Sequence, residues 1–467
     1  MTKAKDFFFC GVGGSGMLPL AMIVKAAGHR VAGSDRALDQ GRTTAKFDYL
    51  RSIGVDLYQQ DGSGVARPDQ IVVASAAVEE TVPDIVAAIE VGAKRMSRAD
   101  LLALLFNGAQ KSIGVAGTSG KSTTTAMVGW ILHHAGVAPT IINGAVMKNF
   151  MSADALFASA VVGDGEAFVA EVDESDGSIA MYNPSIAVVN NIALDHKSMD
   201  ELRTLFGAFV ERADMAILNL DNDETAKIAK VQTKKNFLTY SLNNDAANFV
   251  ADKISPEPFG VSFDVVSNIS NETAMIALKM PGRHNVSNAL AAIAAANVCG
   301  VSLENSAAAL NEFLGVKRRL EFVGEASGVT LFDDFAHNPD KISASLTTLH
   351  EFPGRLLVMF QPHGFGPLKK MRNEFIETFS NHLGEKDILM MPEPVYFGGT
   401  VDKSVGSKDI AGGLRRVGRQ AETFETRDEC GERLLELAQA GDRIVIMGAR
   451  DDTLSEFAQS LLKRLSD

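Results

Sequence analysis

The chain has 467 residues, and 58 acidic residues outnumber 45 basic ones, which gives a formal net charge of −13. This acidic balance disfavours nonspecific nucleic-acid binding, and no apolar stretch approaches the ~20 residues that a membrane helix needs. Hydrophobic residues make up 46% of the chain and charged residues 22%, as in ordinary globular domains. Three cysteines without CxxC spacing fit a reducing cytoplasm. The sequence therefore predicts a globular cytoplasmic protein whose partners are small molecules.

Apolar strand-like runs alternate with helical patterns along the chain, which predicts an α/β fold of parallel sheets covered by helices. We expect three domains: a Rossmann-like domain over residues 1–108, a central P-loop domain with a mainly parallel sheet over 109–317, and a second Rossmann-like domain over 318–467. The candidate strands, in chain order, are DFFFC, HRVAGSD, QIVVASAA, SIGVA, EAFVAEV, PSIAVVNNI, GVTLFDDF, RLLVMFQP, DILMMPE and DRIVIMGA.

The first glycine-rich segment, GVGGSG, follows the strand DFFFC and opens a helix. Glycines let the backbone approach a pyrophosphate, and the helix N-terminus supplies oriented N–H donors. Asp35 follows 19 residues after Gly16 and closes the next strand, where such folds carry a ribose-binding acid. Alone, this pattern also fits an NAD-dependent dehydrogenase or a turn needed only for packing. The candidate residues are Gly11, Gly13, Gly14, Ser15, Gly16 and Asp35.

A second loop, GTSGKS, lies between the strand SIGVA and a helix expected from about Thr123. Its N–H groups can wrap phosphate oxygens, Lys121 can neutralise the β- and γ-phosphates, and the Ser122 hydroxyl can bind Mg²⁺. Val115 stands where the usual P-loop pattern begins with glycine. The loop favours ATP or GTP over a dinucleotide. Its candidate residues are Gly117, Thr118, Ser119, Gly120, Lys121, Ser122 and Thr123.

Acidic and histidine residues follow two further strands. Glu171 begins an acidic run at the end of the strand EAFVAEV, and His196 follows SIAVVNNI. Neighbouring parallel strands present their carboxyl ends on one side, so Lys121, Glu171 and His196 are expected to converge there as catalytic residues. Ser122, Glu171 and His196 are the candidate Mg²⁺ ligands. A solvated acidic loop is the alternative interpretation.

Taken in order, GTSGKSTTT, VAEVDESDG, the Asp195–His196 pair and PGRHNVSNALAAIAAA resemble the Mur ligase family, whose ATP-dependent members add amino acids to UDP-N-acetylmuramic acid. The resemblance covers essentially the whole chain. It implies ATP contacts from His284, Asn285, Asn288, Arg319, Asp333 and Asp334. It also implies UDP-sugar contacts from the first glycine loop, Asp35 and Ser75, and an amine pocket on His337, Asn338, His363 and Tyr396.

Within the family, GVGGSGMLPLAMIVKAAGHRVAGSD and FQPHGFG resemble the branch that adds L-alanine, whereas FDDFAHNPDKI also resembles the branch that adds a murein tripeptide. The chain departs from the alanine branch at four positions, where Ser119 and Asn338 replace histidines, Gly364 replaces an arginine and Thr400 replaces a glutamate. The missing arginine and glutamate would be ionic partners in the amine pocket, so the sequence leaves open which amine is used.

The resemblance implies amide formation on UDP-N-acetylmuramic acid through an acyl phosphate, with ATP and Mg²⁺ as cofactors. L-Alanine is the expected amine, in peptidoglycan synthesis. A murein tripeptide, in cell-wall recycling, or a different amine is the alternative within the family. From other classes, an NAD-dependent oxidoreductase and a catalytically silent nucleotide-binding regulator stay open.

Overall fold

The computed structural model describes residues 4–75, 78–153, 155–194, 197–231, 236–395, 402–449, 451 and 453–466. Four positions singled out from the sequence lie outside these described residues: Asp195, His196, Tyr396 and Thr400. The chain forms two compact units. The first comprises Met1–Ile254, Ser262–Leu278 and Asn285–Val316, and the second comprises Ser255–Val261, Lys279–His284 and Lys317–Asp467.

The amino-terminal sheet has five parallel strands in the order β3-β2-β1-β4-β5, which is the strand order of a Rossmann sheet without its sixth strand. Residues Phe7–Cys10 are buried on both faces of the sheet, because a parallel strand covered by helices needs a continuous apolar run. The elements are β1 (Asp6–Cys10), α1 (Met17–Ala26), β2 (Arg30–Ser34), α2 (Arg36–Asp39), α3 (Thr44–Ser52), β3 (Asp56–Tyr58), β4 (Gln70–Ala74), α4 (Pro83–Val91), β5 (Lys94–Ser97) and α5 (Arg98–Asn107).

The central sheet has ten strands in the order β15-β14-β13-β12-β11-β10-β6-β9-β7-β8. The pairings from β7 through β9, β6, β10, β11 and β12 to β13 are parallel, and β8 is an antiparallel edge strand. The elements are β6 (Lys111–Ala116), α6 (Lys121–His134), β7 (Thr140–Ile142), β8 (Ala160–Val161), β9 (Ala167–Glu171), β10 (Ile186–Val189), α7 (Met199–Arg212), β11 (Met215–Asn219), α8 (Asp223–Val231), β12 (Asn236–Ser241), β13 (Phe249–Glu257), β14 (Gly260–Ser267), β15 (Glu272–Leu278), α9 (Arg283–Val298) and α10 (Leu303–Asn311).

Helix α9 contains a run rich in alanine. Its run from Ala289 to Ala296 is fully buried, because alanine side chains let a helix approach its neighbours closely. Phe106 of α5 packs edge-on against Phe168 of β9 and against Tyr182, with ring centroids 6.0 and 5.2 Å apart. Residues of the first and central sheets thus share one hydrophobic core within the first unit.

The third sheet has the order β16-β17-β21-β18-β19-β20, in which β16 is antiparallel and the other pairings are parallel. One hydrophobic cluster includes residues of α11, α13 and α14, and a second includes residues of α15 and α16. The elements are β16 (Glu321–Ala326), β17 (Val329–Asp334), α11 (Pro339–His350), β18 (Leu356–Gln361), α12 (Phe365–Lys370), α13 (Arg372–His382), β19 (Ile388–Pro392), α14 (Ser407–Arg416), β20 (Gln420–Phe424), α15 (Arg427–Leu437), β21 (Arg443–Gly448) and α16 (Thr453–Ser466).

The fold therefore confirms the predicted α/β class with three sheets, and each predicted strand is present. Among the described residues, no helix combines the length and apolar character that a membrane crossing requires.

Candidate active site

The second glycine loop joins β6 to α6, as the sequence predicts, although the helix begins at Lys121 rather than at Thr123. Gly117 and Gly120 adopt φ values of 141° and 81°, which favour glycine. A Cβ at Gly120 would lie 2.5 Å from Asn288 Oδ1, so no larger residue fits there. The first turn of α6 presents N–H groups without intrahelical acceptors at this loop, which is the arrangement that binds phosphate.

The neighbouring strand β10 is followed by an asparagine that fixes the conformation of the loop. Asn191 Oδ1 accepts hydrogen bonds from the Thr118 hydroxyl at 2.7 Å and from the Ser119 N–H at 2.9 Å. The backbone of Ser119 is held by this contact, so the substitution of histidine by serine at this position leaves the path of the loop supported.

The ammonium of Lys121 is buried among carboxylates. Its Nζ lies 2.8 Å from Glu174 Oε2 and 3.9 Å from Asp173 Oδ1, and it donates to the Gly117 carbonyl at 2.7 Å. Burial lowers the pKa of Lys121, but the charges of Glu174, Asp173 and Glu171 outweigh burial and raise it above the ordinary value. Burial raises the pKa of Glu174 despite the opposing effect of Lys121. The lysine is therefore a fixed positive charge at the loop, and Glu174 is a partner that the sequence analysis did not identify.

Glu171 ends β9 beside the loop strand, since it pairs in register with Val115 of β6. Its Oε2 accepts the Gly144 N–H at 2.9 Å. The preceding residue, Asn143, donates through its side chain to the Ser122 carbonyl at 3.1 Å. The structure thus brings Ser122 and Glu171, two of the predicted magnesium ligands, to opposite sides of one two-residue segment.

The donor chemistry of this region fits Mg²⁺, which prefers carboxylate and hydroxyl oxygens and keeps several waters. The buried Oδ1 of Asn143 has no hydrogen-bond partner, as expected of a site that takes up a further donor. Within the described part of the chain, no group of three or more His, Cys, Asp or Glu side chains could hold a metal ion. His196, the third predicted ligand, lies outside that part, and Ser122 would supply a hydroxyl.

The predicted ATP-contacting asparagines lie buried behind the loop. Asn288 Oδ1 accepts from the Thr124 hydroxyl at 3.2 Å, and its amide donates to Asn285 Oδ1 at 3.2 Å. These contacts make both asparagines supports of the loop helix. His284 is exposed on the first turn of α9.

The first glycine loop follows β1, where Gly11 has a φ of 81°. Asp35, the expected ribose acid, accepts the Gly13 N–H at 2.9 Å with one oxygen and the Ala37 N–H at 2.8 Å with the other. A Cβ at Gly13 would lie 3.0 Å from Asp35 Oδ2. The aspartate therefore holds the glycine loop and caps α2. Ser15 is exposed, and Ser75 follows β4 at the same carboxyl edge of the sheet.

Arg98 was missed by the sequence analysis. A Cβ built on Gly16 would lie 3.0 Å from Arg98 Cδ and 3.4 Å from its Nε, so the arginine lies over the end of the first glycine loop. Its guanidinium also pairs with Asp176 at 3.2 Å. Arg98 directly follows β5, and a cation after a strand of a Rossmann-like sheet is the available sequence signal.

In the second unit, Arg318 and Arg319 have different surroundings. Arg318 is buried, pairs with Asp333 at 3.3 Å and donates to the Gly448 carbonyl at 2.7 Å. Arg319, the predicted phosphate contact, is partly exposed and lies over the Phe335 ring at 4.5 Å. Asp333 also accepts from the Ser455 hydroxyl at 2.6 Å. The structure thus gives Asp333 an internal ion pair.

Asp334, the second predicted nucleotide-contacting aspartate, is likewise buried. It accepts the Leu320 N–H at 3.1 Å and the Ser345 hydroxyl. The two aspartates therefore hold the residues on either side of Arg319, Asp333 through Arg318 and Asp334 through Leu320. A direct contact of either aspartate with nucleotide stays a prediction.

Two predicted amine-pocket histidines lie together in this unit. The rings of His337 and His363 meet edge-on with centroids 5.2 Å apart, and His337 Nδ1 lies 2.9 Å from the Phe335 carbonyl. Burial, followed by the charge of Lys341, lowers the pKa of His337 to about 3. Asn338 caps α11 by accepting the Lys341 N–H at 3.0 Å, so the asparagine at this position serves the helix terminus.

The fold and the loop of β6 and α6 define a nucleotide-binding α/β protein of the P-loop type. Family models match three consecutive parts of the chain: the Mur ligase family catalytic domain over residues 6–110, the Mur ligase middle domain over 115–296, and the Mur ligase glutamate ligase domain over 318–450.

Full-length relatives agree with these matches. The UDP-N-acetylmuramate–L-alanine ligase of Caldicellulosiruptor saccharolyticus is 34% identical over 95% of this chain and 96% of its own length. The enzyme of the same name from Geotalea daltonii is also 34% identical, over 100% of this chain and 99% of its own.

Among solved structures, the UDP-N-acetylmuramate–alanine ligase of Thermotoga maritima matches with a TM-score of 0.78 and 25% identity, covering 99% of this chain and 100% of that one. A murein peptide ligase from Psychrobacter arcticus matches with a TM-score of 0.73 and 25% identity, covering 99% of each chain. The chain belongs to the Mur ligase family and is an ATP-dependent, amide-forming ligase.

Proposed function

We propose that this ligase joins L-alanine to the carboxylate of UDP-N-acetylmuramic acid in peptidoglycan synthesis, with conversion of ATP to ADP and phosphate. The observation that carries the proposal is the pairing of the buried Lys121 ammonium with carboxylates after β9, at the loop that opens α6. The relatives that match almost the full chain and bear the alanine ligase name support the choice of substrates.

The first step brings two anions together, because the substrate carboxylate attacks the γ-phosphate of ATP to give an acyl phosphate and ADP. Lys121 provides a preorganised positive charge at the loop, which offsets the repulsion between them. The helix N-terminus of α6 adds N–H donors on the same side. Ser122, Glu171 and His196 would hold Mg²⁺, which would neutralise negative charge on the phosphates when bound.

The second step is attack of the amine on the acyl phosphate, which forms the amide and releases phosphate. The Phe335 carbonyl accepts a hydrogen bond from His337 Nδ1, which leaves Nε2 as the acceptor atom of the ring. With a pKa of about 3, this ring stays neutral near pH 7. His337, Asn338, His363 and Tyr396 form the amine pocket in this proposal.

The remaining assignments belong to the same proposal. ATP contacts come from residues 117–123, His284, Asn285, Asn288, Arg319, Asp333 and Asp334, and the UDP-sugar is bound by the first glycine loop, Asp35 and Ser75. The domains comprise residues 1–108, 109–317 and 318–467, a division that the family-model matches support. We place the reaction in the cytoplasm.

A second candidate amine is the murein tripeptide. Gly364 precedes α12 where the alanine branch carries an arginine, and the match to a murein peptide ligase structure supports the same alternative. Loss of an arginine removes an ionic partner for a small amino acid. A pocket that relies on ionic pairing discriminates strongly between amine substrates when one partner is absent.

The test is phosphate release from ATP and Mg²⁺ with UDP-N-acetylmuramic acid, using L-alanine, glycine, L-serine and L-Ala-γ-D-Glu-diaminopimelate in separate reactions. Mass analysis identifies the amide. Turnover with L-alanine at the highest kcat/KM supports the proposal, and preference for the tripeptide selects the second candidate. Absence of amide with every amine, despite binding of the UDP-sugar, would reject both.

A further inference from the structure

Asn143 lies directly after β7 and is almost wholly buried, with 2% of its surface exposed. Its backbone N–H donates to the Ser159 carbonyl at 2.9 Å, and its side-chain amide donates to the Ser122 carbonyl at 3.1 Å. Its Oδ1, by contrast, is buried without a hydrogen-bond partner. A buried amide oxygen normally accepts a hydrogen bond, so the lack of a donor to Asn143 Oδ1 calls for a physical explanation.

Gly144, the next residue, contacts the second predicted magnesium ligand, Glu171. The Gly144 N–H donates to Glu171 Oε2 at 2.9 Å, and a Cβ at position 144 would lie 2.8 Å from that oxygen. Asn143 and Gly144 therefore contact both elements that carry the described magnesium ligands, the first turn of α6 and the end of β9.

We propose that Asn143 is a positioning residue of the magnesium site, and that its Oδ1 accepts a hydrogen bond from a water bound to the ion. The proposal rests on the proposed function, which places Mg²⁺ at Ser122 and Glu171. Mg²⁺ keeps several of its waters in protein sites, and metal-bound waters are donors that need acceptors in the surrounding protein. Outer partners of this kind orient the ligands and typically change metal affinity by about 10- to 100-fold.

The side-chain amide of Asn143 has a donor nitrogen and an acceptor oxygen. Variants that change them differently distinguish a structural role in the loop from a role at the magnesium site. The amide nitrogen holds the Ser122 carbonyl, which is a structural role in the loop. The oxygen is the atom assigned to the metal site. Asn143→Ala removes both groups, whereas Asn143→Asp keeps an acceptor oxygen and the size of the side chain but removes the donor to Ser122.

The experiment is Mn²⁺ titration of the full chain by electron paramagnetic resonance in the presence of a non-hydrolysable ATP analogue. A fluorescent ATP analogue in EDTA measures metal-free nucleotide binding in parallel. We expect Asn143→Ala to weaken Mn²⁺ binding about 10-fold or more and to change metal-free nucleotide affinity less than twofold. Asn143→Asp should retain Mn²⁺ affinity within about threefold, because the acceptor is still present.

Asn219→Ala is the matched control. Asn219 is also a buried asparagine at the end of a strand, but its amide donates to the Asn190 carbonyl and its Oδ1 accepts the Asp221 N–H. It should leave Mn²⁺ affinity unchanged. If Asn143→Ala does not fold, Asn143→Asp alone decides, since loss of Mn²⁺ affinity in that variant would assign the effect to the donor and overturn the proposal.

Two further outcomes would also overturn it: unchanged Mn²⁺ affinity in Asn143→Ala, or an equal loss of metal-free nucleotide binding. Wild-type protein that binds Mn²⁺ with nucleotide but forms no amide would reject the proposed function and leave the role of Asn143 intact. Wild-type protein that binds no Mn²⁺ with nucleotide would reject both.

Discussion

Replacing Lys121 by alanine leaves Glu174 buried without its cation. Before the change the two side chains are 2.8 Å apart and have exposed fractions of 14% for the lysine and 4% for the glutamate. Removing one partner of a buried ion pair costs about 3–5 kcal/mol. At a urea dependence of ~2–3 kcal/mol per M, the unfolding midpoint should fall by ~1–2.5 M.

The double variant Lys121→Ala/Glu174→Gln separates stability from chemistry. A neutral amide is far less costly to bury than an unpaired carboxylate, so the double variant should recover more than half of the lost midpoint. Amide synthesis should stay at least ~100-fold below wild type in both variants, because the charge at the phosphates is absent from each. UDP-sugar binding should be retained.

Unfolding can be followed at the site itself. Trp130 is the only tryptophan in the chain, and it lies on α6, the helix that begins at Lys121, where its Nε1 donates to the Ala309 carbonyl at 2.7 Å. Its fluorescence in a urea titration therefore reports the loop helix. Lys227→Ala is the matched control, because this lysine is exposed and pairs with Glu224 at the surface, where such pairs contribute about 0–1 kcal/mol.

The pH dependence of the unfolding midpoint tests whether Glu174 is the buried partner of Lys121. In Lys121→Ala, burial acts on Glu174 without the opposing lysine, so the folded-state pKa of Glu174 lies above the ordinary value of about 4.3. A group with a raised folded-state pKa loses its stabilising contribution as pH rises through that pKa. The loss of stability of Lys121→Ala relative to wild type should be small below about pH 4 and grow as pH rises. Adding Glu174→Gln to this variant should remove the trend. Equal midpoints for the single and double variants across this range would refute the assignment of Glu174 as the buried partner.

Three other predictions concern single positions. Gly144→Ala should raise the Mg²⁺ concentration for half-maximal activity about 10-fold, because the added Cβ would lie 2.8 Å from Glu171 Oε2; an unchanged magnesium titration would contradict this. Arg98→Ala should weaken UDP-sugar binding about 10-fold or more in calorimetry, since the guanidinium lies over the first glycine loop, with Arg95→Ala as the exposed control. The imidazole of His337 should show no titration between pH 5 and 8 by NMR, because burial holds its pKa near 3; a shift in that range would disprove the burial argument.

Much of the fold follows from local sequence pattern. Continuous apolar runs such as DFFFC form parallel strands, because strands covered on both faces need apolar residues throughout. The loop from Gly117 to Ser122 was also identified, because its glycines and lysine are close in sequence and their spacing is set by backbone geometry. The strands β13, β14 and β15 are among those that were not anticipated. Their burial varies along their length, so they lack the continuous apolar run that marked the predicted strands.

What the tertiary structure decided is which groups meet across long separations in sequence. Lys121 pairs with Glu174, 53 residues away, and Arg98 meets Asp176, 78 residues away. Asn143 gave no sequence signal, since a lone asparagine after a short strand is ordinary, and its importance comes from an oxygen left without a partner beside two other elements. Local sequence pattern predicts helices, strands and loops because backbone geometry fixes the spacing of residues that are close in sequence. Partners of buried charges and amides depend instead on how sheets stack and where loops end, and only the folded chain fixes those distances.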